Sequence, residues 1–261
     1  FYDNTINSLN RPVVSPVVEL LLQNRNGQLS HENLNEQLLN LGKQDVRNDL
    51  LRYNYQQGVN QQYALSLKGG QAKSSWFLSG GLDQNKSTTV ADFERYNLRF
   101  RQNIKPITNL EVDLGFNYTQ THATHGKLDY NSLTNDGAII YPYTQLADEN
   151  GNALPIVKNF RQSFLNTLNN PGLYSWDYVP LEDQNLNQNQ NNLQDVTANI
   201  GLRYTLWKGI STEVKYQYQR QNTHGLNILP EESYGARSII NQFTQLSNTG
   251  QATYIIPRGG I

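Results

Sequence analysis

The sequence predicts an all-β fold whose antiparallel strands form part of a large transmembrane β-barrel with long extracellular loops. Two observations predict this class. In several segments apolar residues occur at every second position, which gives each strand one apolar and one polar face. The connections between these segments alternate between short and long, like the periplasmic turns and outer loops of outer-membrane barrels.

Residues 1–60 are expected to form an extracellular loop region with short helices. The apolar run at 17–22 fits a short helix or a buried strand, and we favour the helix. Ser30 is a candidate N-cap for a helix over 31–41, and Asp45 is a candidate N-cap for the helix that follows. Short helices are therefore predicted before the first strand.

Residues 61–121 are expected to contain four barrel strands. The clearest alternation lies at 110–121, where apolar residues share one face and polar residues or glycine share the other. Phe77 departs from this pattern because it falls on the polar side of its strand. The connections at 69–73 and 105–109 are short and contain glycine or proline, which is typical of turns.

The remainder of the chain is expected to continue the barrel. Residues 122–194 read as a long extracellular loop, 195–221 as two barrel strands, 222–250 as a further extracellular loop, and 251–261 as the start of another strand. A connection as long as the first of these is typical of a functional loop. Because the sequence lacks methionine and its strand count is odd, we expect an internal part of a longer protein.

Composition excludes several classes of protein. Only 16% of the 261 residues are charged and the net charge is −1, so no basic patch for nucleic acid is visible. The absence of cysteine removes disulfides, thiolate nucleophiles and cysteine metal ligands. No apolar run reaches about 18 residues, which excludes a transmembrane helix but not strands that cross a bilayer in about ten residues.

Alternation also assigns each strand residue to the lipid bilayer or to the barrel interior. The residues expected to meet lipid are Leu65, Leu98, Phe100, Val112, Leu114, Phe116, Ile200, Leu202, Val214 and Tyr216. The residues expected to face the lumen are Asn97, Arg99, Arg101, Glu111, Asp113, Arg203, Glu213 and Lys215. The alternative is a soluble β-sandwich, which needs neither large polar residues on one strand face nor long loops at one end.

Short motifs in a fixed order resemble a known family. They are SPVVELL at 15–21, DVRND at 45–49, NQQYALSLKGG at 60–70, FERYNLR at 93–99, YPY at 141–143, LADENGN at 146–152, YQYQ at 216–219, ESY at 232–234 and PRGGI at 257–261. Their order and spacing resemble the SusC/RagA-type TonB-dependent transporters, the SusC-like TonB-linked outer membrane proteins. The resemblance extends over nearly the whole chain.

This resemblance implies a barrel of about 22 strands in the bacterial cell outer membrane, with an N-terminal plug that this chain lacks. It also implies two protein partners: a SusD-like surface lipoprotein that lids the outer face, and the TonB-ExbB-ExbD complex, reached through the missing N-terminal part. The implied function is import of oligosaccharides or peptides. The alternative is a barrel that acts as a structural or scaffolding subunit of a larger outer-membrane complex.

Five aromatic residues in the longest loop are candidate contacts for a glycan or peptide ligand or for the lid: Tyr141, Tyr143, Tyr174, Trp176 and Tyr178. Packing within the loop is the alternative role for the last three. No catalytic motif is visible, so we expect no enzyme activity and no cofactor. His122 and His125 do not make a metal site by spacing alone, and Asp148 begins a glycine turn that departs from a calcium loop.

Overall fold

The computed structural model describes residues 4–5, 7–168, 170–186 and 188–259. The outermost parts of the predicted segments 1–60 and 251–261, including the last two residues of PRGGI, lie outside the described residues. The described residues fall into two compact units. We call Gln56–Gly126 with Asn189–Asn227 the sheet unit, and the described parts of Phe1–Tyr55, Lys127–Gln188 and Ile228–Ile261 the loop unit.

The described part of the chain contains the following elements. The strands are β1 (Val59–Gln71), β2 (Ser74–Lys86), β3 (Asp92–Ile107), β4 (Leu110–Thr124), β5 (Thr134–Asn135), β6 (Ala138–Ile139), β7 (Gln188–Trp207), β8 (Ile210–Ile228), β9 (Thr244–Leu246) and β10 (Ala252–Tyr254). The helices are α1 (Pro16–Arg25), α2 (His31–Leu41), α3 (Val46–Tyr53), α4 (Gln162–Leu165), α5 (Pro180–Leu186) and α6 (Tyr234–Gln242).

The sheet unit confirms the predicted all-β class. Its six long strands form one antiparallel sheet in the order β1-β2-β3-β4-β7-β8. Each strand lies next to the one that precedes it among these six, as in an up-and-down barrel. Within the described residues β1 and β8 are the edges of the sheet, which is therefore open.

Strand register places the apolar and polar residues on opposite faces of the sheet. Leu78 of β2 lies opposite Phe100 of β3, which in turn lies opposite Phe116 of β4. The next row along the strands pairs Arg99 of β3 with Asn117 of β4. Directly opposed residues in an antiparallel pair share a face, so period two in the sequence becomes two chemically distinct surfaces.

Strands β4, β7 and β8 extend further than the sequence predicted. β4 continues to Thr124, β7 begins at Gln188 and β8 continues to Ile228. At one end of β4, Thr124 lies opposite Gln190 in a stretch of asparagine and glutamine without alternation. Main-chain hydrogen bonds to a neighbouring strand hold such a segment extended, whatever its side chains.

The turn predicted at 105–109 is shorter in the structure. β3 runs on to Ile107, which pairs with Leu110, and the register shifts between Ile104 and Ile107. Pro106 lies in this shift. Because proline has no N–H to donate to a ladder, it is tolerated where the regular pairing is interrupted.

The loop unit has a small hydrophobic core of its own. The core consists of Val46, Leu50, Leu133, Ile140 and Leu146, all buried. Helix α3 contributes the first two of these, and the segment predicted as the long loop contributes the others. Two hydrogen bonds join the helix to that segment: the Val46 N–H donates to the Pro142 carbonyl at 2.8 Å, and Asp49 accepts from the Leu146 N–H at 2.7 Å.

Side-chain caps begin helices α2, α3 and α6 of the loop unit. Ser30 accepts from the Asn33 N–H at 3.2 Å, and Asp45 accepts from the Arg47 N–H at 3.0 Å, as the sequence predicts. Helix α6 lies in 222–250, which reads as loop in the sequence. Ser233 caps it by accepting from the Ala236 N–H at 3.3 Å.

Candidate functional site

The polar face of the sheet carries a network of charged side chains. Arg203 Nη2 donates to Glu213 Oε1 at 3.0 Å, and Arg203 Nη1 lies 3.9 Å from Glu111 Oε2. Lys215 Nζ lies 3.1 Å from Glu213 Oε1. The structure therefore brings four residues predicted to face the lumen into one ion-pair network across β4, β7 and β8.

An asparagine outside the set of residues predicted to face the lumen extends this network to β3. Asn103 Nδ2 donates to Glu111 Oε1 and to Asp113 Oδ1, at 2.7 Å in each case. An asparagine between two carboxylates supplies donor hydrogens that reduce their repulsion. Its place at alternate spacing after Arg99 and Arg101 is the signal that could have identified it.

The other three residues predicted for the lumen lie on β3 outside this ion-pair network. Asn97 Oδ1 accepts from the Thr119 hydroxyl at 3.1 Å. Arg99 and Arg101 are exposed and have no acidic partner among the described residues. Arg101 lies opposite Phe77, the residue that breaks the apolar pattern of β2. A concave space of about 960 Å³ borders this part of the face.

The opposite face of the sheet exposes large apolar side chains. Val214 and Tyr216 of β8 are each 65% exposed, and Leu65 of β1 is 70% exposed. Other apolar residues exposed on this face are Leu67, Leu98, Phe116, Ile200 and Leu202. So large a contiguous apolar surface is characteristic of a face that meets lipid or another protein.

Tyr141 and Tyr143 are stacked on each other in the loop unit. Their ring centroids lie 5.7 Å apart and the ring planes differ by 8°. Both rings are half-buried. Burial raises the pKa of Tyr141, with a smaller contribution from Tyr143. The pair forms a partly open aromatic surface beside Pro142, whose carbonyl is held by α3.

Tyr174 is fixed by polar contacts. Its hydroxyl donates to Glu231 Oε1 and accepts from Arg258 Nε. The guanidinium carbon of Arg258 also lies 4.7 Å from the centre of the Tyr174 ring. The backbone of Tyr174 is bound to Asn241 of α6. With its hydroxyl and one ring face engaged, Tyr174 anchors the loop.

Tyr178 is buried and belongs to the interior of the loop unit. Lys158 Nζ lies 4.0 Å from the centre of its ring, and the Tyr234 ring lies 5.0 Å away. Burial is the main cause that raises the pKa of Tyr178 and the main cause that lowers the pKa of Lys158. Asp183 partly opposes the shift at Lys158. Tyr178 therefore has the packing role that sequence analysis gave as the alternative.

Trp176 differs from both tyrosines because its polar atom has no hydrogen-bond partner among the described residues. Its ring packs edge-on against Phe160, with ring centroids 5.4 Å apart. Within the described residues, the buried Trp176 Nε1 has no hydrogen-bond acceptor. Trp176 and Tyr174 border a cavity of about 580 Å³. Of the aromatic cluster at 174–178, Trp176 is therefore the residue best placed to meet a ligand or partner.

A second cleft, which sequence analysis missed, lies between α1, α2 and the segment 157–166. Its volume is about 840 Å³. Arg161 and Glu19 line it, together with leucines and many amide side chains. Arg161 is an isolated basic residue in a polar loop and shows no periodicity, so nothing in the sequence marks it as buried.

The residues considered for metal binding have other partners. His122 Nδ1 lies 2.6 Å from Asn192 Oδ1. Asp148 Oδ1 accepts from the N–H groups of Asn150 and Asn152, and hydrogen bonds from Asn152 are the main cause that lowers the pKa of Asp148. The carboxylate thus closes the turn. Across the described ranges no group of three acidic or histidine side chains is arranged to hold a metal ion.

No helix within the described part of the chain combines the length and apolarity that crossing a membrane requires.

Comparisons with known proteins show a similarity of fold. No protein-family model matches the chain, and no curated protein matches it. Among solved structures, that of the RagAB peptide transporter is similar, with a TM-score of 0.53 and 15% sequence identity over 71% of this chain. At this identity the similarity shows the fold. The chain spans about 20% of the length of that matched chain.

Proposed function

We propose that this chain is part of the barrel of a TonB-dependent importer of the SusC/RagA type in the bacterial outer membrane. The observation that carries the proposal is the division of the sheet between a broad exposed apolar face and a face with a charged network. Lipid is the natural environment of the first face, and a water-filled lumen is that of the second. The fold similarity to part of the RagAB peptide transporter supports this reading.

We further propose that the loop unit contacts a SusD-like surface lipoprotein and that the imported molecule is an oligosaccharide or a peptide. Stacked Tyr141 and Tyr143 offer flat, half-buried aromatic surfaces, and the half-buried Trp176 borders a cavity. These are the features by which proteins bind sugars and peptides. The energy for transport would come from the TonB-ExbB-ExbD complex, which would contact a part of the protein outside these 261 residues. We assign the chain no catalytic role.

The experiment uses the complete protein in its native bacterium. Uptake of fluorescent oligosaccharides and peptides is measured in cells that carry the protein, in cells that lack it and in cells without TonB. The native complex is purified from the outer membrane in parallel, so that a co-purifying surface lipoprotein can be identified.

TonB-dependent uptake of at least one probe, together with a co-purifying lipoprotein, would support the proposal. A barrel that assembles in the outer membrane and retains its partners but imports nothing would favour the scaffolding alternative. Recovery of the protein outside the outer membrane would overturn both.

A further inference from the structure

The cleft between α1, α2 and 157–166, here called the Arg161 cleft, contains a buried arginine that forms no ion pair with the described residues. Arg161 is only 7% exposed. Its Nη1 donates to the Thr5 carbonyl at 3.4 Å, a long hydrogen bond. No acidic side chain among the described residues pairs with its guanidinium. A guanidinium has five N–H donors, and burying its charge unpaired is costly.

Arg161 lines the cleft, so the small exposed part of its side chain borders the cavity. A guanidinium at the wall of a cleft is a candidate partner for an anionic group, because it can form charge-assisted hydrogen bonds with a carboxylate.

Glu19 of α1 lines the same cleft. Its Oε1 is buried and has no hydrogen-bond partner among the described residues. Because Oε1 is covered by protein atoms, a ligand in the cleft can reach Glu19 only through its other atoms. Glu19 and Arg161 line one cleft but do not form an ion pair with each other.

The rest of the lining is chemically mixed. Leu20 and Leu41 give apolar surface, whereas the amides offer both donors and acceptors. The amide side chains that line the cleft are Gln23, Asn26, Gln28, Gln37, Asn40, Gln44, Gln162 and Asn166. A volume of about 840 Å³ lies within the range of small-molecule sites.

We propose that the Arg161 cleft binds a carboxylate-bearing ligand. The carboxylate of the ligand pairs with the Arg161 guanidinium. Both a peptide with a free C-terminus and an acidic sugar with hydroxyl groups provide this chemistry. This inference adds a class of ligand to the proposed function. It rests on the proposed function only for what happens to the ligand after it has bound.

The test measures binding to the complete purified protein by isothermal titration calorimetry. The probes are acetyl-tetra-alanine with a free C-terminal carboxylate, the same peptide with a C-terminal amide, and tri-galacturonate. We expect at least one carboxylate probe to bind, and the probe that binds identifies the source of the carboxylate. We expect the amidated peptide to bind at least tenfold more weakly than the free acid if the peptide is the ligand.

Substitutions then assign binding to the cleft. Arg161→Gln should lower the affinity for the bound carboxylate probe by about 10-fold to 100-fold, because a charge-assisted hydrogen bond is lost. Arg11→Gln is the matched control: this arginine packs over the Phe164 ring, is not part of the cleft lining, and should leave the affinity within about twofold.

The proposal is overturned if neither carboxylate probe binds. It is also overturned if the amidated peptide binds as tightly as the free-acid peptide and tri-galacturonate does not bind. A third contrary outcome is that the Arg161→Gln variant binds the probe as tightly as the unchanged protein does. The comparison of probes uses the unchanged protein, so it tests the proposal even if the Arg161→Gln variant does not assemble. Uptake is measured separately in cells. Binding without uptake would refute the import proposal alone, and uptake without carboxylate binding would refute this one alone.

Discussion

Tyr174 and Asn241 bind each other through two reciprocal hydrogen bonds. The Tyr174 N–H donates to Asn241 Oδ1 at 2.9 Å, and Asn241 Nδ2 donates to the Tyr174 carbonyl at 3.0 Å. Asn241 is 5% exposed, so α6 holds both main-chain polar groups of one loop residue from within the unit. This pair fixes the backbone two residues before Trp176, which is half-buried and borders a cavity.

Replacing Asn241 should increase the mobility of the loop segment at 170–178. Asn241→Leu keeps the approximate side-chain volume but leaves the N–H and carbonyl of Tyr174 without partners, at a cost of about 1–3 kcal/mol. We expect faster proteolytic cleavage at 170–178 in the purified protein. Gln242→Ala, on the exposed side of the same helix, is the control and should not change the cleavage rate. Equal cleavage in both variants would show that the reciprocal pair does not hold the loop.

Trp176→Phe should separate binding from packing. Phenylalanine keeps a ring against Phe160 and removes a buried N–H that has no acceptor among the described residues. Stability should therefore stay the same or rise, while ligand or lid association should weaken by about 1 kcal/mol if the larger indole ring contacts the partner. Thermal unfolding and co-purification of the lid measure the two effects. Unchanged association would restrict Trp176 to a packing role.

Reversing the charge of Arg203 should reveal how much the ion-pair network of the polar face contributes to the stability of the barrel. Arg203→Glu places a third carboxylate beside Glu111 and Glu213 and should lower the temperature at which the barrel loses its resistance to SDS. Adding Glu213→Arg should restore part of the loss, because opposite charges again face each other. High salt should reduce both effects. Strictly additive effects of the two changes would argue against coupling between these residues.

The two faces of β4 should differ in their tolerance of arginine. Leu114→Arg places a charge on the apolar face, where lipid contact costs roughly 2–4 kcal/mol at the bilayer midplane. Asp113→Arg places the same side chain on the polar face and should cost less. The amount of folded barrel in the outer membrane measures the difference. Equal tolerance of the two changes would mean that the faces are assigned incorrectly.

The start of α3 should depend on pH. The guanidinium and the backbone N–H of Arg47 hold the carboxylate of Asp45 and lower its pKa to about 2, from an ordinary value of 3.8. The cap is therefore fully stabilising above about pH 4 and is lost as the pH falls towards 2. Hydrogen exchange of α3, corrected for intrinsic rates, should show this loss in the unchanged protein. In Asp45→Asn the corrected exchange should not vary with pH. If the exchange of this variant changes with pH as it does in the unchanged protein, the assignment of the effect to Asp45 is wrong.

The sequence by itself determines the features that depend on near neighbours. Period two at 110–121 sets the two faces of β4, because successive side chains of a strand point to opposite sides. Ser30 and Asp45 mark helix starts because a cap acts within three residues. The stripe of charges on β3, β4, β7 and β8 is likewise visible in the sequence, so most of the charged network could be predicted residue by residue.

Only the tertiary structure decides which distant groups meet. Tyr174 and Tyr178 look alike in the sequence, yet Tyr174 is held by Asn241 and Tyr178 is buried against Lys158. Arg161 becomes an anion-binding candidate only because α1 and α2 enclose it. The loops lack periodicity, and their contacts rely on amides and single charges whose partners lie far along the chain. The path of the backbone, which local sequence does not encode, therefore determines the candidate site.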